Sequence, residues 1–168
     1  LRLPLFVKPL CTGSSVGIKK VKKKSDLPLA MDYAFQYDTR VMIETGIDCR
    51  EIECAVLGNE NPQASVLGEI LPNHEFYSYE AKYLDPEGAK MNIPARISAR
   101  LATAIRRCAI AGFQALNCNS MARVDFFLDK QTNAFYLNEI NTLPGFTRVS
   151  MYPKLWEATG LKYRDLLD

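Results

Sequence analysis

Ala122-Arg-Val-Asp-Phe-Phe-Leu-Asp-Lys-Gln-Thr-Asn-Ala-Phe-Tyr-Leu-Asn-Glu-Ile-Asn141 is the stretch on which the fold class turns. Two strand-forming runs, 122–128 and 134–140, flank Asp129-Lys-Gln-Thr-Asn133, a cluster of turn residues, so the segment reads as a β-hairpin. Alternation puts Val124, Phe126 and Leu128 on one face and Arg123, Asp125 and Phe127 on the other. On the second strand, Leu137, Glu139 and Asn141 share a face. With a turn at 129–133, position 128 lies opposite 134 and position 123 opposite 139. Asp125 is then a diagonal neighbour of Glu139, about 7–8 Å away at Cα. Two carboxylates and an amide oxygen at that separation suit a hard cation. Mg²⁺ takes one or two carboxylates and leaves its other positions to water and substrate phosphate. Arg123 beside them can meet a transferring phosphoryl group. A charged, solvent-facing sheet with an Arg–Glu cross-strand pair accounts for the same pattern.

Upstream of the hairpin, Leu101, Ile105, Cys108, Gly112 and Leu116 recur at helical spacing and predict an amphipathic helix over 98–116. Further strands are expected at Leu5–Val7, Ile18–Val21, Val41–Ile43, Ile52–Leu57 and Ala64–Leu71. A helix is expected from about Ser25 to Tyr37, capped by Ser25 or Asp26. Residues 72–94, with Pro, Gly, Asn and several aromatics, read as a long irregular loop, of the kind that is functional or disordered. Short helices near Tyr152–Thr159 and Tyr163–Leu167 close the chain. Mixed strands and helices with a late hairpin indicate an α+β fold.

Near the start, Gly13-Ser14-Ser15-Val16-Gly17 offers backbone N–H groups and two hydroxyls to phosphate oxygens. It lacks the Gly-Lys-Ser/Thr of a Walker A loop and is no dinucleotide fingerprint, so an ordinary turn also explains it. Lys8, ending the preceding strand, can bring an ammonium to the same phosphates. Glu44, Glu51 and Glu53 lie in or after strands, where carboxylates bind ribose hydroxyls but more often simply face solvent. The lysines at 19, 20, 22, 23 and 24 fit a solvated strand edge.

The 168 residues are 48% hydrophobic with net charge +2, which excludes disorder and a nucleic-acid footprint. No apolar run is long enough for a membrane-spanning helix. Five cysteines without a CxxC pair and the single histidine His74 argue against a zinc site or disulfide framework, and for reduced thiols. His74 reads as polar surface. The start at Leu1, without Met and entering a strand almost at once, leads us to expect a piece of a longer protein.

Five stretches, FVKPLCTGSSVGIKKV (6–21), GIDCREIECAVLGNENPQAS (46–65), EAKY (80–83), ARVDFFL (122–128) and LNEINTLPGFTRVSMYPKLW (137–156), carry a resemblance in this order and spacing. The whole chain resembles the C-terminal half of bacterial D-alanine–D-alanine ligases, which are ATP-grasp enzymes. The resemblance implies a partial ATP-grasp fold: residues 1–45 from the small lobe and 46–168 the large lobe, with a lid at about 72–94. It implies ATP held between two lobes and two Mg²⁺ ions, with Mn²⁺ able to substitute. One D-alanine is activated as an acyl phosphate and attacked by the amine of a second, for peptidoglycan synthesis.

By that resemblance Lys8, Ser15 and Lys82 bind ATP phosphates, and Glu44, Thr45, Ile47 and Glu51 line the adenine and ribose site. Some relatives carry Lys where this chain has Thr45. Asp125, Glu139 and Asn141 match the metal ligands. Arg123 and Gly145 match groups that stabilise the tetrahedral intermediate. Tyr83 matches a tyrosine hydrogen-bonded to Ser14, and Ser150 and Met151 match positions near the second D-alanine. The EAKY sequence looks like the dipeptide-forming type rather than the D-lactate type, with D-serine ligases and a non-catalytic nucleotide-binding module as alternatives. A cytoplasmic location, no nucleic-acid or membrane partner and a homodimeric parent are implied too. The family's N-terminal glutamate and early lysine have no counterpart here, so the 168-residue piece by itself is expected to lack ligase activity.

Overall fold

Alternating burial along Leu5-Phe-Val-Lys-Pro9 sets the first strand of a computed structural model that describes residues 1–13, 15–71 and 90–168. By contacts, residues 1–48 form one unit and residues 49–71 with 90–168 a second. In the first unit, β1 (Leu5–Pro9) is flanked by β2 (Lys19–Val21) and β3 (Val41–Thr45), both antiparallel to it. Helix α1 (Leu27–Phe35) presents Leu27, Ala30, Met31 and Ala34 at helical spacing. Its small Ala30 and Ala34 let it lie close on Leu5, Val7 and Val21, which form the buried core of this unit. A one-turn 3₁₀ segment, Lys24–Asp26, leads into the helix. Asp26 stands at the N-cap, but neither it nor Ser25 caps: Ser25 donates its hydroxyl to Asp26 instead. The lysines of β2 lie on a strand edge as expected, with Lys19 also seated 4.3 Å from the Tyr33 ring centroid.

The second unit is a five-stranded antiparallel sheet in the order β6-β5-β4-β7-β8. Its strands are β4 (Cys49–Leu57), β5 (Gln63–Leu71), β6 (Lys90–Asn92), β7 (Met121–Asp129) and β8 (Phe135–Asn141). Helix α2 (Ala99–Ala115) covers one face. It begins at Ser98, whose Oγ accepts a hydrogen bond from the Leu101 N–H at 3.3 Å. Ile105, Ala109 and Phe113 of α2 are fully buried on Ile52, Val124, Phe126 and Leu128. Each large apolar side chain so buried contributes about 1.5–3 kcal/mol. Helix α3 (Met151–Thr159) packs on β5, with Met151 and Leu155 against Gly68; a Cβ at Gly68 would lie 2.7 Å from the Met151 sulfur. Gly68 is the cross-strand partner of Glu53, so α3 covers part of the sheet face opposite α2.

Several expectations need correction. β6 lies inside the segment read as loop, and residues 72–89 fall outside the described ones. Leu116 belongs to the predicted apolar stripe but is 65% exposed, because α2 has already ended and the chain turns at Asn117 with φ +51°. Residues 163–167 form turns, not a helix. Gly160 stops α3 in the left-handed conformation, and the stretch beyond is too short to propagate a helical ladder.

The hairpin register also differs from the expected one. The turn closes with Asp129 opposite Ala134, through hydrogen bonds Asp129 N–H to Ala134 O (2.8 Å) and Asn133 N–H to Asp129 O (3.0 Å). Leu128 therefore faces Phe135, one residue later than expected. Between the pairs Phe126–Leu137 and Asp125–Glu139, Asn138 is an extra residue, a β-bulge. Asp125 is directly opposite Glu139, not diagonal to it, and Arg123 is opposite Asn141. The bulge also overturns the expected face-sharing: Leu137 and Ile140 both approach Gly112 of α2, while Glu139 and Asn141 turn to the other side.

Candidate functional site

In the first unit, β1 and β3 place Lys8 and Glu44 within an ion-pair contact, so two residues singled out by sequence meet. The adjoining loop is held by short hydrogen bonds, Val16 N–H to Gly13 O (3.1 Å) and Thr12 Oγ1 to Val16 O (3.1 Å). Ser15 adopts φ +61° and Gly17 φ +76°. At Gly17 any Cβ would meet Pro9 at 2.6 Å and Tyr37 at 2.8 Å, whereas the space at Gly13 is open. Thr45 accepts a hydrogen bond from the Arg2 N–H at 3.4 Å, and Ile47 is half-buried. Ser14, His74, Lys82 and Tyr83 lie outside the described residues.

In the second unit, the sheet face opposite α2 carries a row of charge across three strands. Glu53 of β4 is opposite Asp125 of β7, and Asp125 is opposite Glu139 of β8. Glu51, further along β4 opposite Phe127, is half-buried on that face. Arg123 forks onto Asp125, Nε to Oδ1 at 2.8 Å and a terminal nitrogen to Oδ2 at 2.7 Å. Its Nε also stands 3.1 Å from Glu53 Oε2. The side chains of Glu53, Asp125 and Arg123 are only 12%, 13% and 21% exposed.

Burial pushes the Asp125 carboxyl up, and the neighbouring Glu139 adds to this against the pull of Arg123. Burial also works against the Arg123 charge, yet its hydrogen bonds to Asp125 and the charges of Asp125, Glu53 and Glu139 hold the guanidinium above its usual range. Among the described residues of this row, three acids, Glu53, Asp125 and Glu139, stand with one arginine. Among the described residues, no group of three or more His, Cys, Asp or Glu is placed to hold a metal ion by itself. Two carboxylates and the Asn141 amide oxygen are all-oxygen donors, and they fit a hard cation that completes its shell with water and phosphate. The Asn141 oxygen is aimed by accepting the Leu143 N–H at 3.1 Å.

Beyond Asn141 the chain passes Leu143-Pro-Gly-Phe146. A Cβ at Gly145 would sit 3.0 Å from Ser150 Oγ, so these two predicted residues are neighbours. Ser150 Oγ accepts the Thr147 N–H at 3.1 Å and contacts Thr147 Oγ1 at 2.9 Å. Met151 opens α3, but its side chain is buried against Gly68, which leaves its backbone as the group available at the helix N-terminus. Sequence reasoning missed what fixes this loop. Tyr163 donates its hydroxyl to Phe146 O at 2.8 Å, and the Phe146 ring sits between Tyr152 and Tyr163. It also passed over Glu53 as an ordinary strand glutamate; the signal was its alternation with Ile52 and Cys54, which puts it on the face of Asp125.

A family model described as "D-ala D-ala ligase C-terminus" matches residues 1–168. A D-alanine–D-alanine ligase of Thermoanaerobacter sp. (strain X514) is 54% identical over 168 residues, covering 100% of this chain and 47% of the relative. Among solved structures, the D-alanine-D-alanine ligase from Coxiella burnetii superposes with a TM-score of 0.86 at 43% identity, covering 99% of this chain and 43% of that one. The VanG D-Ala:D-Ser ligase from Enterococcus faecalis superposes with a TM-score of 0.89 at 39% identity, covering 100% of this chain and 48% of that one. The chain thus spans about half the length of the relatives it matches.

Proposed function

The chain belongs to the D-Ala–D-Ala ligase C-terminal family, and on that premise we propose that the protein carrying it is an ATP-dependent D-alanine–D-alanine ligase. It joins two D-alanines through an acyl phosphate for peptidoglycan synthesis. The observation that carries the reading is the half-buried face on which Asp125 pairs with Glu139 and Arg123 with Asn141. The D-alanine–D-alanine ligases described above are 54% and 43% identical, against 39% for the D-Ala:D-Ser ligase, which favours D-alanine over D-serine as the second substrate.

In this reading residues 1–45 belong to the small lobe and 46–168 to the large lobe, with the lid confined to residues 72–89, between β5 and β6 and outside the described residues. Lys8 and the 13–17 loop, Ser14 and Ser15 included, meet ATP phosphates, and Lys82 adds a cation from the lid. Glu44, Thr45, Ile47 and Glu51 contact the base and ribose. Asp125, Glu139 and Asn141 hold two Mg²⁺ ions, with Mn²⁺ as a substitute. When bound, the metal neutralises charge developing on the transferred phosphoryl group. Arg123 and the Gly145 N–H stabilise the oxyanion of the tetrahedral intermediate. Ser150 and the Met151 backbone orient the second D-alanine, and Tyr83 acts with Ser14. Among the described residues no helix is long and apolar enough to cross a membrane, and a cytoplasmic homodimer is part of the same reading.

The test is ADP release by the protein carrying these 168 residues, supplied with ATP, Mg²⁺ and D-alanine, against D-serine or D-lactate as second substrate. D-alanyl-D-alanine formation, abolished in D125N, is the expected result. Nucleotide binding without turnover, or full activity in D125N, overturns the proposal.

A further inference from the structure

Arg123 has two acidic partners, and the reading above gives only one of them a task. Asp125 receives both arms of the guanidinium, at 2.8 and 2.7 Å. The same two oxygens are the ones a cation needs. A dication arriving at Asp125 takes at least one fork arm away from Arg123 and repels the guanidinium that is left. A buried arginine stripped of its partner is costly, and its flexible stem allows it to swing off the face. Arg123 stays only if a second anion already holds it.

We propose that Glu53 is that anion: a positioning residue that keeps Arg123 aimed at the reacting phosphoryl and acyl groups while Asp125 serves the metal. This rests on the proposed reading of Asp125 and Arg123. Glu53 is suited to the task by place and contact. Its Oε2 lies 3.1 Å from the arginine Nε, a charge contact without a hydrogen bond because the single Nε–H is given to Asp125, and its side chain is 12% exposed, so the attraction is poorly screened. Its strand, β4, lies between β5 and β7, so its backbone is fixed on both edges. Asp125, by contrast, faces Glu139 on β8, the edge strand of the sheet among the described residues. Glu53 thus offers the arginine a fixed anchor on the side away from the metal-facing pair. With Glu53 neutral, Arg123 has Asp125 as its closest acidic partner and competes with the metal for it.

The test is Mn²⁺ binding to the ADP complex of the protein, followed by electron paramagnetic resonance, alongside kcat and KM and thermal melting. E53Q is expected to weaken Mn²⁺ binding by about tenfold, as loss of an outer partner of a metal ligand commonly does. Its kcat should fall by about as much and be partly restored by excess metal, with KM for ATP little changed. E53D, which keeps the charge on a shorter stem, should recover part of the loss. Unchanged Mn²⁺ affinity in E53Q overturns the proposal, and so do equal losses in E53Q and E53D that track melting temperature. D125N separates the two levels. If D125N abolishes Mn²⁺ binding and E53Q does nothing, only the role of Glu53 fails. If D125N binds Mn²⁺ normally, the metal reading itself is wrong.

Discussion

Replacing Gly17 by alanine should unsettle the small first unit, while the same change at Gly13 should not. The backbone at Gly17 has φ +76°, a conformation that costs an L-residue about 1–2 kcal/mol. The new Cβ would lie 2.6 Å from Pro9 Cγ and 2.8 Å from Tyr37 Cδ2. Both are ring atoms with little freedom to give way, and overpacking of this kind costs about 1–3 kcal/mol. Alanine returns about 0.4–1 kcal/mol by restricting the unfolded chain. The net expectation is a loss of about 1–4.5 kcal/mol. Gly13 has nothing within 4 Å of its Cβ position, so G13A should stay within about 0.5 kcal/mol of the parent. Because the chain has two units, amide hydrogen exchange at Leu5 and Val7 measures the relevant stability better than a single global transition. Equal exchange protection in G17A and G13A would refute the steric argument.

The ion pair of half-buried Arg50 with buried Glu69, bonded at 2.6 and 2.8 Å, predicts a pH dependence. Arg50 holds the Glu69 carboxyl below its usual value, so the stabilisation is present above about pH 4.5 and lost as pH falls through the lowered value. E69Q should therefore unfold more easily at pH 7, by about 1.5–3 kcal/mol, and match the parent in strong acid; a pH-independent gap in urea midpoints contradicts this. All five cysteines are free thiols, but burial pushes Cys54 up to about 12. In a thiol-reagent time course at pH 8, exposed Cys11 should react first and Cys54 only on unfolding. Y163F removes the hydrogen bond to Phe146 O and should cost about 0.5–1.5 kcal/mol. If the proposed role of Gly145 holds, Y163F should also lower kcat with the KM for ATP little changed, read from steady-state kinetics.

The periodicity of 98–116 was enough to place α2, although its fully buried positions are Ile105, Ala109 and Phe113 and of these only Ile105 belongs to the predicted stripe; that of 122–128 placed the core face of β7. Order and spacing of short motifs carried the family. The β8 register was hidden for a physical reason. A bulge adds one residue without changing composition, and nothing in Leu-Asn-Glu-Ile-Asn says that Asn138 is the one left over. Glu53 was visible as an alternating strand residue, but its burial depends on strands brought together from 70 residues downstream. Tyr163 was assigned to a helix because local propensity favoured one. Its ring and hydroxyl instead bind a loop some 17 residues earlier, a contact no local window contains.

The extra residue in β8 makes strand length, more than the identity of any one side chain, what the site must conserve. Removing one residue between Leu137 and Glu139 leaves every donor present but reverses the phase of all that follows. Glu139 and Asn141 would then point at α2, and Ile140 would face the charged row. Substitution and deletion at position 138 are therefore different kinds of change. The first alters one contact of the strand; the second exchanges the two sides of the sheet.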